Sequence, residues 1–185
     1  MILVIDTSSP SVATVATIEG DERNEYSSPR LDRDLLKRLV ASSRVTRVAV
    51  ASGPGSFTGL RVGVSFGLGL AMGLRIPIVP LPSLDLQAAR SRTPATAVVE
   101  AGRGRYYFQA PNQEPRLGEP VEIPATNPLV GVVPRGSLVA AGHRFVPESE
   151  LRSFAEAAEI LLRTAREVPY RNLEIQYMQT FMSKA

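Results

Sequence analysis

The segment of this sequence with the most distinctive candidate binding residues is rich in glycine and spans 52–63, SGPGSFTGLRVG. An apolar run rich in valine, 45–51, precedes it, and an apolar helical pattern begins near Thr58. A loop between a strand and the start of a helix has free backbone N–H groups, which favour an anion such as a phosphate. Anion binding is therefore the first chemistry that this segment predicts.

Three glycine-containing enzyme motifs do not match the segment. A Walker A loop requires Gly-Lys-Ser/Thr, and Gly59 is followed by Leu60. A dinucleotide-binding fingerprint requires glycine where Thr58 stands. A nucleophile elbow requires one residue between each glycine and the serine, whereas Gly55 directly precedes Ser56. Each of these three enzyme classes is excluded at a required residue.

Few other side chains are candidates for catalysis or for binding a metal ion. The chain has no cysteine and one histidine, His143, which excludes disulfides, thiolate catalysis and a metal site built on paired histidines. We expect no bound metal, and we expect His143 at a strand end or on the surface. Asp6 and Glu100 stand at the ends of predicted strands and could meet across a cleft, a pairing that one sequence leaves open.

The composition is that of an ordinary globular protein. The net charge is +3, but the arginines are scattered without a run, which favours a solvated surface over a nucleic-acid site. The apolar N-terminus, 1–5, is too short for the core of a signal peptide. The longest apolar candidate, 62–74, is shorter than the roughly 18 residues that a membrane span needs. We therefore expect a cytoplasmic protein with no membrane segment.

Hydrophobic periodicity predicts the order β-β-β-α-β-α-β-α over the first ninety or so residues. A proline- and threonine-rich segment, 93–96, predicts a boundary between a lobe at 1–92 and a smaller lobe at 93–185. Ser83 is expected to cap the third helix. The predicted elements of the second lobe are strands at 97–100, 105–110 and 138–141 and a helix at 148–166. The apolar tail, 171–185, is expected to dock on this chain or on a partner.

The helix predicted from Thr58 to Leu74 is unusually rich in glycine. Gly59, Gly63 and Gly67 recur every four residues, and Gly69 and Gly73 repeat that spacing on another face. Each glycine costs roughly 1 kcal/mol relative to alanine inside a helix, so packing must explain them. Two explanations stay open: a helix buried against its own sheet, or a helix packed against both its sheet and a second protein.

Residues 53–63, GPGSFTGLRVG, resemble the signature of the bacterial TsaB family, also called YeaZ. Further matches are Ile5-Asp6-Thr7-Ser8, Ile76-Pro77, Ser83-Leu84, Gly104 and Tyr107. The similarity extends over 1–110 and is faint afterwards. The sequence departs from the family where Leu31-Asp32 replace a His-Ser pair and where Glu100 and Gly102 replace an aspartate and an arginine.

The resemblance implies an α/β fold of the ribonuclease-H-like, actin-like ATPase (ASKHA) class, with two lobes of mixed β-sheets flanked by helices. In that superfamily the first hairpin turn approaches a nucleotide phosphate, which makes Asp6, Thr7 and Ser8 the candidate nucleotide-binding residues. The other interpretation is a turn capped by short polar side chains.

The resemblance also implies a role. TsaB-like proteins are non-catalytic subunits, not enzymes on their own, that pair with TsaD for threonylcarbamoyl transfer to adenosine 37 of transfer RNA. The partner interface carried over to this chain is Leu35, Leu36, Leu39, Val40, Gly59, Arg61, Val62, Gly63, Phe66, Gly67 and Leu70, beside a signature loop of Gly53, Pro54, Gly55, Ser56, Phe57 and Thr58. Arg61 is expected to cap or bridge there, or to form a surface salt bridge.

Other ligands and functions follow from the same resemblance. Without its partner the chain is expected to form a homodimer, because large apolar patches are rarely left exposed. No cofactor is expected on the chain alone; ATP or ADP at the partner interface, TsaE as a second partner, and indirect or weak contact with tRNA are further candidates. The alternative is an active ATPase or sugar kinase of the superfamily, which needs a second phosphate loop and a metal-binding carboxylate. A peptidase is a third, weaker candidate.

Overall fold

The computed structural model describes residues 1–42 and 44–177, which form two β-sheets with helices packed on them. The elements of the first half are β1 (Ile2–Asp6), β2 (Ala13–Glu19), β3 (Glu22–Ser28), α1 (Arg33–Ser42), β4 (Arg47–Gly53), α2 (Phe57–Leu74), β5 (Ile78–Pro82) and α3 (Ser83–Arg90). This order confirms the predicted β-β-β-α-β-α-β-α pattern.

The second half contains shorter elements. They are β6 (Thr96–Gly102), β7 (Arg105–Gln109), β8 (Arg116–Gly118), β9 (Leu129–Val130), α4 (Gly136–Ala140) and α5 (Phe154–Leu162), with 3₁₀ turns at Pro120–Glu122, Glu148–Glu150 and Tyr170–Asn172. The strands predicted at 97–100 and 105–110 are confirmed as β6 and β7.

Two predicted elements of the second half were wrong in type or length. The strand expected at 138–141 is the short helix α4, because a brief apolar run cannot distinguish strand from helix. The helix expected at 148–166 is shorter, because Ser153 begins α5 with a capping box. The Ser153 hydroxyl accepts the Glu156 N–H at 3.1 Å, and the Glu156 carboxylate accepts the Ser153 N–H at 2.7 Å.

The first sheet has the strand order β3-β2-β1-β4-β5. Strands β1, β4 and β5 run parallel, whereas β2 is antiparallel to both β1 and β3. The second sheet has the order β8-β7-β6-β9. Because β1 and β4 are parallel neighbours, the turn after Asp6 and the loop after Gly53 lie side by side at one edge of the first sheet.

Helices cover both faces of the first sheet. In β1 the side chain of Val4 faces a cluster that includes residues of α3 and α5, whereas Leu3 and Ile5 face a cluster that includes residues of α1 and α2. This alternation follows from the two-residue period of a β-strand. Helix α1 is anchored by the buried Leu36 and begins beside Asp32. The Asp32 carboxylate accepts the backbone N–H groups of Leu35 and Asp34, and these hydrogen bonds lower the pKa of Asp32.

The end of the described chain returns to the first sheet. Helix α5 packs against β2, β3 and β5. The segment 168–177, which we call the C-terminal strap, packs beside α2 through Val168, Tyr170, Leu173 and Ile175. A domain division at residue 92 stays a prediction, and the described residues after 153 lie against the first sheet. Of the apolar tail, Met178, Phe181 and Met182 lie outside the described residues.

Helix α2 spans Phe57–Leu74, as the sequence analysis expected to within one residue, and it is strongly apolar. Its 18 residues, Arg61 among them, have a mean hydropathy of 1.4, enough by length and composition to cross a membrane. Length and composition alone do not distinguish a membrane-spanning helix from the core helix of a globular protein, because both meet these criteria. Only 28% of α2 is buried. Nine of the 18 residues are exposed, so half of an apolar helix faces outward.

Candidate functional site

The turn after β1 is buried and tied to the start of α2. The Asp6 carboxylate accepts the N–H of Ser8 at 2.8 Å. The Thr7 hydroxyl donates to the carbonyl of Gly59 at 2.7 Å. The carbonyl of Ser8 accepts the N–H of Ser56, also at 2.7 Å. The polar side chains of Asp6 and Thr7 thus hold the chain in place, as in the turn-capping interpretation.

The signature loop uses several of its own amide groups inside the chain. The Ser56 hydroxyl accepts the N–H of Gly59 at 3.2 Å and so caps α2. The N–H of Gly53 donates to the Ser83 hydroxyl at 3.1 Å in the buried interior. The expected capping role of Ser83 was therefore wrong, because Pro82 occupies the cap position of α3 and no side-chain bond caps that helix. A Cβ at Gly55 would come within 2.6 Å of the carbonyl oxygen of Ser8, so the two loops require a glycine there.

The three candidate nucleotide-binding residues face different sides of the molecule. Asp6 and Ser8 line a cleft of about 350 Å³ where the two sheets meet. Thr7 instead lines a groove of about 840 Å³ beside α2, together with Leu31, Val62 and Phe66. The turn therefore separates a polar cleft from a more apolar groove.

The cleft between the sheets is acidic on balance. It contains three carboxylates, Asp6, Glu25 and Glu148, and two guanidinium groups, Arg90 and Arg135. Glu148 pairs with Arg90 at 3.2 Å and with Arg135 at 3.5 Å. Glu25 accepts the backbone N–H of Phe154 at 2.7 Å, at the start of α5. Because these charged groups are engaged with one another or with the backbone, the cleft does not present a free cationic surface to a polyphosphate.

Burial raises the pKa of Asp6 above its ordinary value of 3.8, although hydrogen bonds from Ser8 and the charge of Arg90 oppose the shift. A raised pKa in the folded state means that protonation favours folding. The stability that Asp6 contributes is therefore fully present below pH 3.8 and is lost as the pH rises through the raised value.

We expect Asp6→Asn, which keeps an acceptor for the Ser8 N–H and cannot ionise, to gain stability over the wild type as the pH rises. Urea unfolding of both proteins from about pH 4 to about pH 7 measures this difference. A stability difference that stays constant across this range would contradict the assignment of a desolvated carboxyl.

The remaining candidate residues do not assemble a catalytic centre with the turn. Glu100 does not line the cleft that holds Asp6. His143 was expected at a strand end or on the surface, but it is buried and follows α4, and its Nε2 lies 2.8 Å from the carbonyl oxygen of Pro120. Among residues 1–42 and 44–177, no three His, Asp or Glu side chains come together as a metal site.

The residues carried over as a partner interface divide between core and surface. Leu36, Gly63 and Gly67 lie in the chain's own core. Arg61 and Val62 are exposed, and the half-buried members are Leu35, Leu39, Val40, Gly59, Phe66 and Leu70. A Cβ at Gly63 would strike Thr7, and one at Gly67 would strike Val50. The stripe Gly59-Gly63-Gly67 therefore brings α2 close to the chain's own sheet and first turn.

The outward side of α2 forms a continuous surface without charge. It consists of Thr58, Val62, Ser65, Gly69, Met72 and Gly73, and we call it the α2 outer face. Val62 is 48% exposed and Met72 is 53% exposed, and no atom would lie within 4 Å of a Cβ at Gly69 or Gly73. The sequence analysis noted the second glycine pair but did not include it in the interface; the helical spacing of Val62, Gly69 and Gly73 was the available signal.

Comparisons with known proteins bear on this site. A family model described as TsaD, tRNA N6-adenosine threonylcarbamoyltransferase, matches residues 28–132. The tRNA threonylcarbamoyladenosine biosynthesis protein TsaB of Haemophilus influenzae is 28% identical over 122 residues, 58% of this chain and 52% of that protein. The TsaB protein of Bacillus subtilis is 38% identical over 71 residues, 37% of this chain and 31% of that protein. The chain thus spans about half the length of the Haemophilus influenzae protein and about a third of the Bacillus subtilis protein.

Solved structures extend the likeness over nearly the whole chain. YeaZ from Pseudomonas aeruginosa has a TM-score of 0.66 and 21% identity, covering 96% of this chain and 99% of that one. A Pseudomonas aeruginosa protein described as similar to peptidase YEAZ has a TM-score of 0.69 and 20% identity, with the same coverage. These likenesses confirm the expected α/β fold of the actin-like, ribonuclease-H-like class, with mixed sheets flanked by helices.

Proposed function

The chain belongs to the TsaB (YeaZ) family, within the wider group that the TsaD family model describes, and on this premise we propose that it is a non-catalytic partner subunit of a TsaD-type transferase. In this role the chain acts in threonylcarbamoyladenosine formation on tRNA by pairing with the enzyme that performs the transfer. The observation that carries the proposal is the α2 outer face, an uncharged surface on a helix of which only 28% is buried.

The composition of the α2 outer face supports a helix as its occupant. Gly69 and Gly73 are four residues apart and open to solvent, so the backbone of a second helix can approach closely along this side. Val62 and Met72 flank them and supply apolar area to bury. The half-buried Leu35, Leu39 and Val40 of α1, with Phe66 and Leu70 of α2, extend this surface toward α1. In the absence of the transferase, a second copy of the chain occupies the same face.

Nucleotide is proposed to bind at the partner interface, not in the chain's own cleft. With three carboxylates and two guanidinium groups, the cleft repels a polyphosphate unless a metal ion accompanies it. The alternative of an active ATPase or sugar kinase needs a second phosphate loop besides a metal-binding carboxylate, and the sequence shows no such loop. Contact with tRNA is proposed to be indirect or weak, and TsaE is proposed as a second partner. The protein is proposed to act in the cytoplasm without membrane attachment.

The test is to mix the purified chain with the TsaD of the same organism, measure mass by light scattering, and assay threonylcarbamoyl transfer and ATP turnover. We expect a homodimer that exchanges into a heterodimer, transfer activity only in the mixture, and no ATP turnover by the chain alone. If no complex forms and transfer by TsaD is not activated, the partner-subunit proposal is contradicted. ATP turnover by the isolated chain would favour the kinase alternative.

A further inference from the structure

One cation is held in a defined orientation at the border of the α2 outer face. The guanidinium carbon of Arg61 lies 3.8 Å from the centre of the Phe57 ring and 5.8 Å from the centre of the Tyr177 ring. The Nε–H of Arg61 donates to the Tyr177 hydroxyl at 3.1 Å. The two rings contact each other with centres 5.5 Å apart. Stacking and a hydrogen bond thus orient a side chain that is otherwise free to rotate.

Tyr177 reaches this position because the C-terminal strap is fixed to the signature loop. The N–H of Gln176 donates to the carbonyl of Ser52 at 2.7 Å. A Cβ on Gly53 would come within 2.6 Å of the Gln176 carbonyl oxygen, and the φ of Gly53 is +107°. Glycine at position 53 therefore leaves room for the strap and adopts a backbone angle that other residues avoid. The signature loop and the strap together place the Tyr177 ring beside Arg61.

Within residues 1–42 and 44–177, Arg61 forms no ion pair. Phe57 is 43% exposed and Tyr177 is 46% exposed, so the stack is open to a partner. Arginine and tyrosine are enriched among the residues that dominate interface energetics. A side chain that is already ordered loses little conformational entropy on binding. An unpaired guanidinium at the border of an uncharged surface is complementary to a carboxylate on the occupant.

We infer that Arg61 selects the partner by pairing with a carboxylate on a helix of the TsaD-type transferase, and that Tyr177 is the residue that positions it. The inference rests on the proposed function and names the chemistry of the partner at the same site. Helix α2 contains no acidic residue, so a second copy that packs its own α2 against this face offers Arg61 no carboxylate from that helix. The acids at the start of α1 are engaged within the chain, because Asp34 pairs with Lys37 at 3.2 Å and Asp32 accepts two backbone N–H groups. Arg61 therefore favours the heterodimer over the homodimer.

The experiment measures both equilibria in the same set of variants. Calorimetric titration with the TsaD of the same organism gives the heterodimer Kd, and sedimentation equilibrium gives the homodimer Kd. The variants are Arg61→Ala, Tyr177→Phe and Tyr177→Ala, with Arg144→Ala as the matched control, because Arg144 is an exposed arginine outside α2 and the strap. Thermal unfolding of each variant shows whether it is folded.

We expect Arg61→Ala to weaken the heterodimer by about 30-fold or more, as for loss of one member of a buried charge pair, and to change the homodimer by less than about threefold. Tyr177→Phe keeps the ring but removes the acceptor of the Arg61 hydrogen bond, so its loss is smaller than that of Tyr177→Ala. Arg144→Ala leaves both constants unchanged. The heterodimer of Arg61→Ala also depends less on salt than that of the wild type.

Each contrary result has a distinct meaning. If the wild type binds the transferase and Arg61→Ala binds equally well, the inference is overturned and the proposed function stands. If Arg61→Ala weakens homodimer and heterodimer by the same factor, Arg61 packs at the surface without selecting a partner, and the inference again fails. If the wild type does not bind the transferase at all, the proposed function and the inference fall together.

Discussion

Gly69→Arg abolishes binding to the TsaD-type partner while the isolated chain stays folded and at least as stable as the wild type. Gly69 lies at the centre of the α2 outer face, and no atom would lie within 4 Å of a Cβ there. In the free chain the arginine points into solvent and improves helix propensity. In the complex it blocks the close approach of a second helix and buries an unpaired charge. We expect the Kd to rise on the order of 100-fold or more.

Light scattering of the mixture, together with the transfer assay, measures this effect. Gly136→Arg is the matched control, because Gly136 is equally open but lies on α4, outside the α2 outer face. Gly63→Arg is unsuitable, since a side chain at Gly63 strikes Thr7 inside the molecule and would disrupt the fold itself. If Gly69→Arg still forms an active complex, the α2 outer face is not the partner interface.

Gly67→Ala and Gly69→Ala, two residues apart on α2, change stability in opposite directions. A Cβ at Gly67 collides with Cγ1 of Val50 and lies 3.3 Å from Cγ1 of Val48. Both valines are completely buried in β4, which pairs with a strand on each side, and they have little room to move. Overpacking a core in this way costs about 1–3 kcal/mol. At Gly69 the added methyl group meets nothing, and the gain in helix propensity reaches about 1 kcal/mol.

Urea unfolding of the two variants isolates the packing effect, because the helix propensity gained from glycine to alanine is common to both. Equal stabilisation by the two substitutions would show that α2 does not sit against β4 as closely as the structure has it. Destabilisation by Gly69→Ala would show that the outward side of the helix is already covered in the isolated chain.

Much of the first sheet is predictable from the sequence, because its signals are local. The apolar β-branched strands, the glycine and proline breaks between them and the leucines of α1 each depend on residues close in sequence. The short apolar stretch at 138–141 was predicted as a strand and forms a helix. Its residues carry too little periodicity to distinguish the two, and contacts from the rest of the fold decide the outcome.

The site was predictable in its parts but not in its arrangement. The sequence placed Asp6, Thr7 and Ser8 in one turn, yet only the fold directs Thr7 to the groove beside α2 and its two neighbours to the acidic cleft. Ser83 was read as a helix cap, but it accepts the N–H of Gly53 because β4 and α3 are brought together in the interior. Such contacts join residues thirty or more positions apart, which no local pattern records.

The amino-acid sequence by itself determined the order of the strands and helices in the first half, the family resemblance and the presence of two glycine stripes on α2. Only the tertiary structure decided that Gly59, Gly63 and Gly67 face the chain's own sheet and first turn whereas Gly69 and Gly73 face outward. Helical periodicity shows which residues share a face but not what that face meets. The same holds for Arg61, because Tyr177, which orients it, lies 116 residues away in the chain.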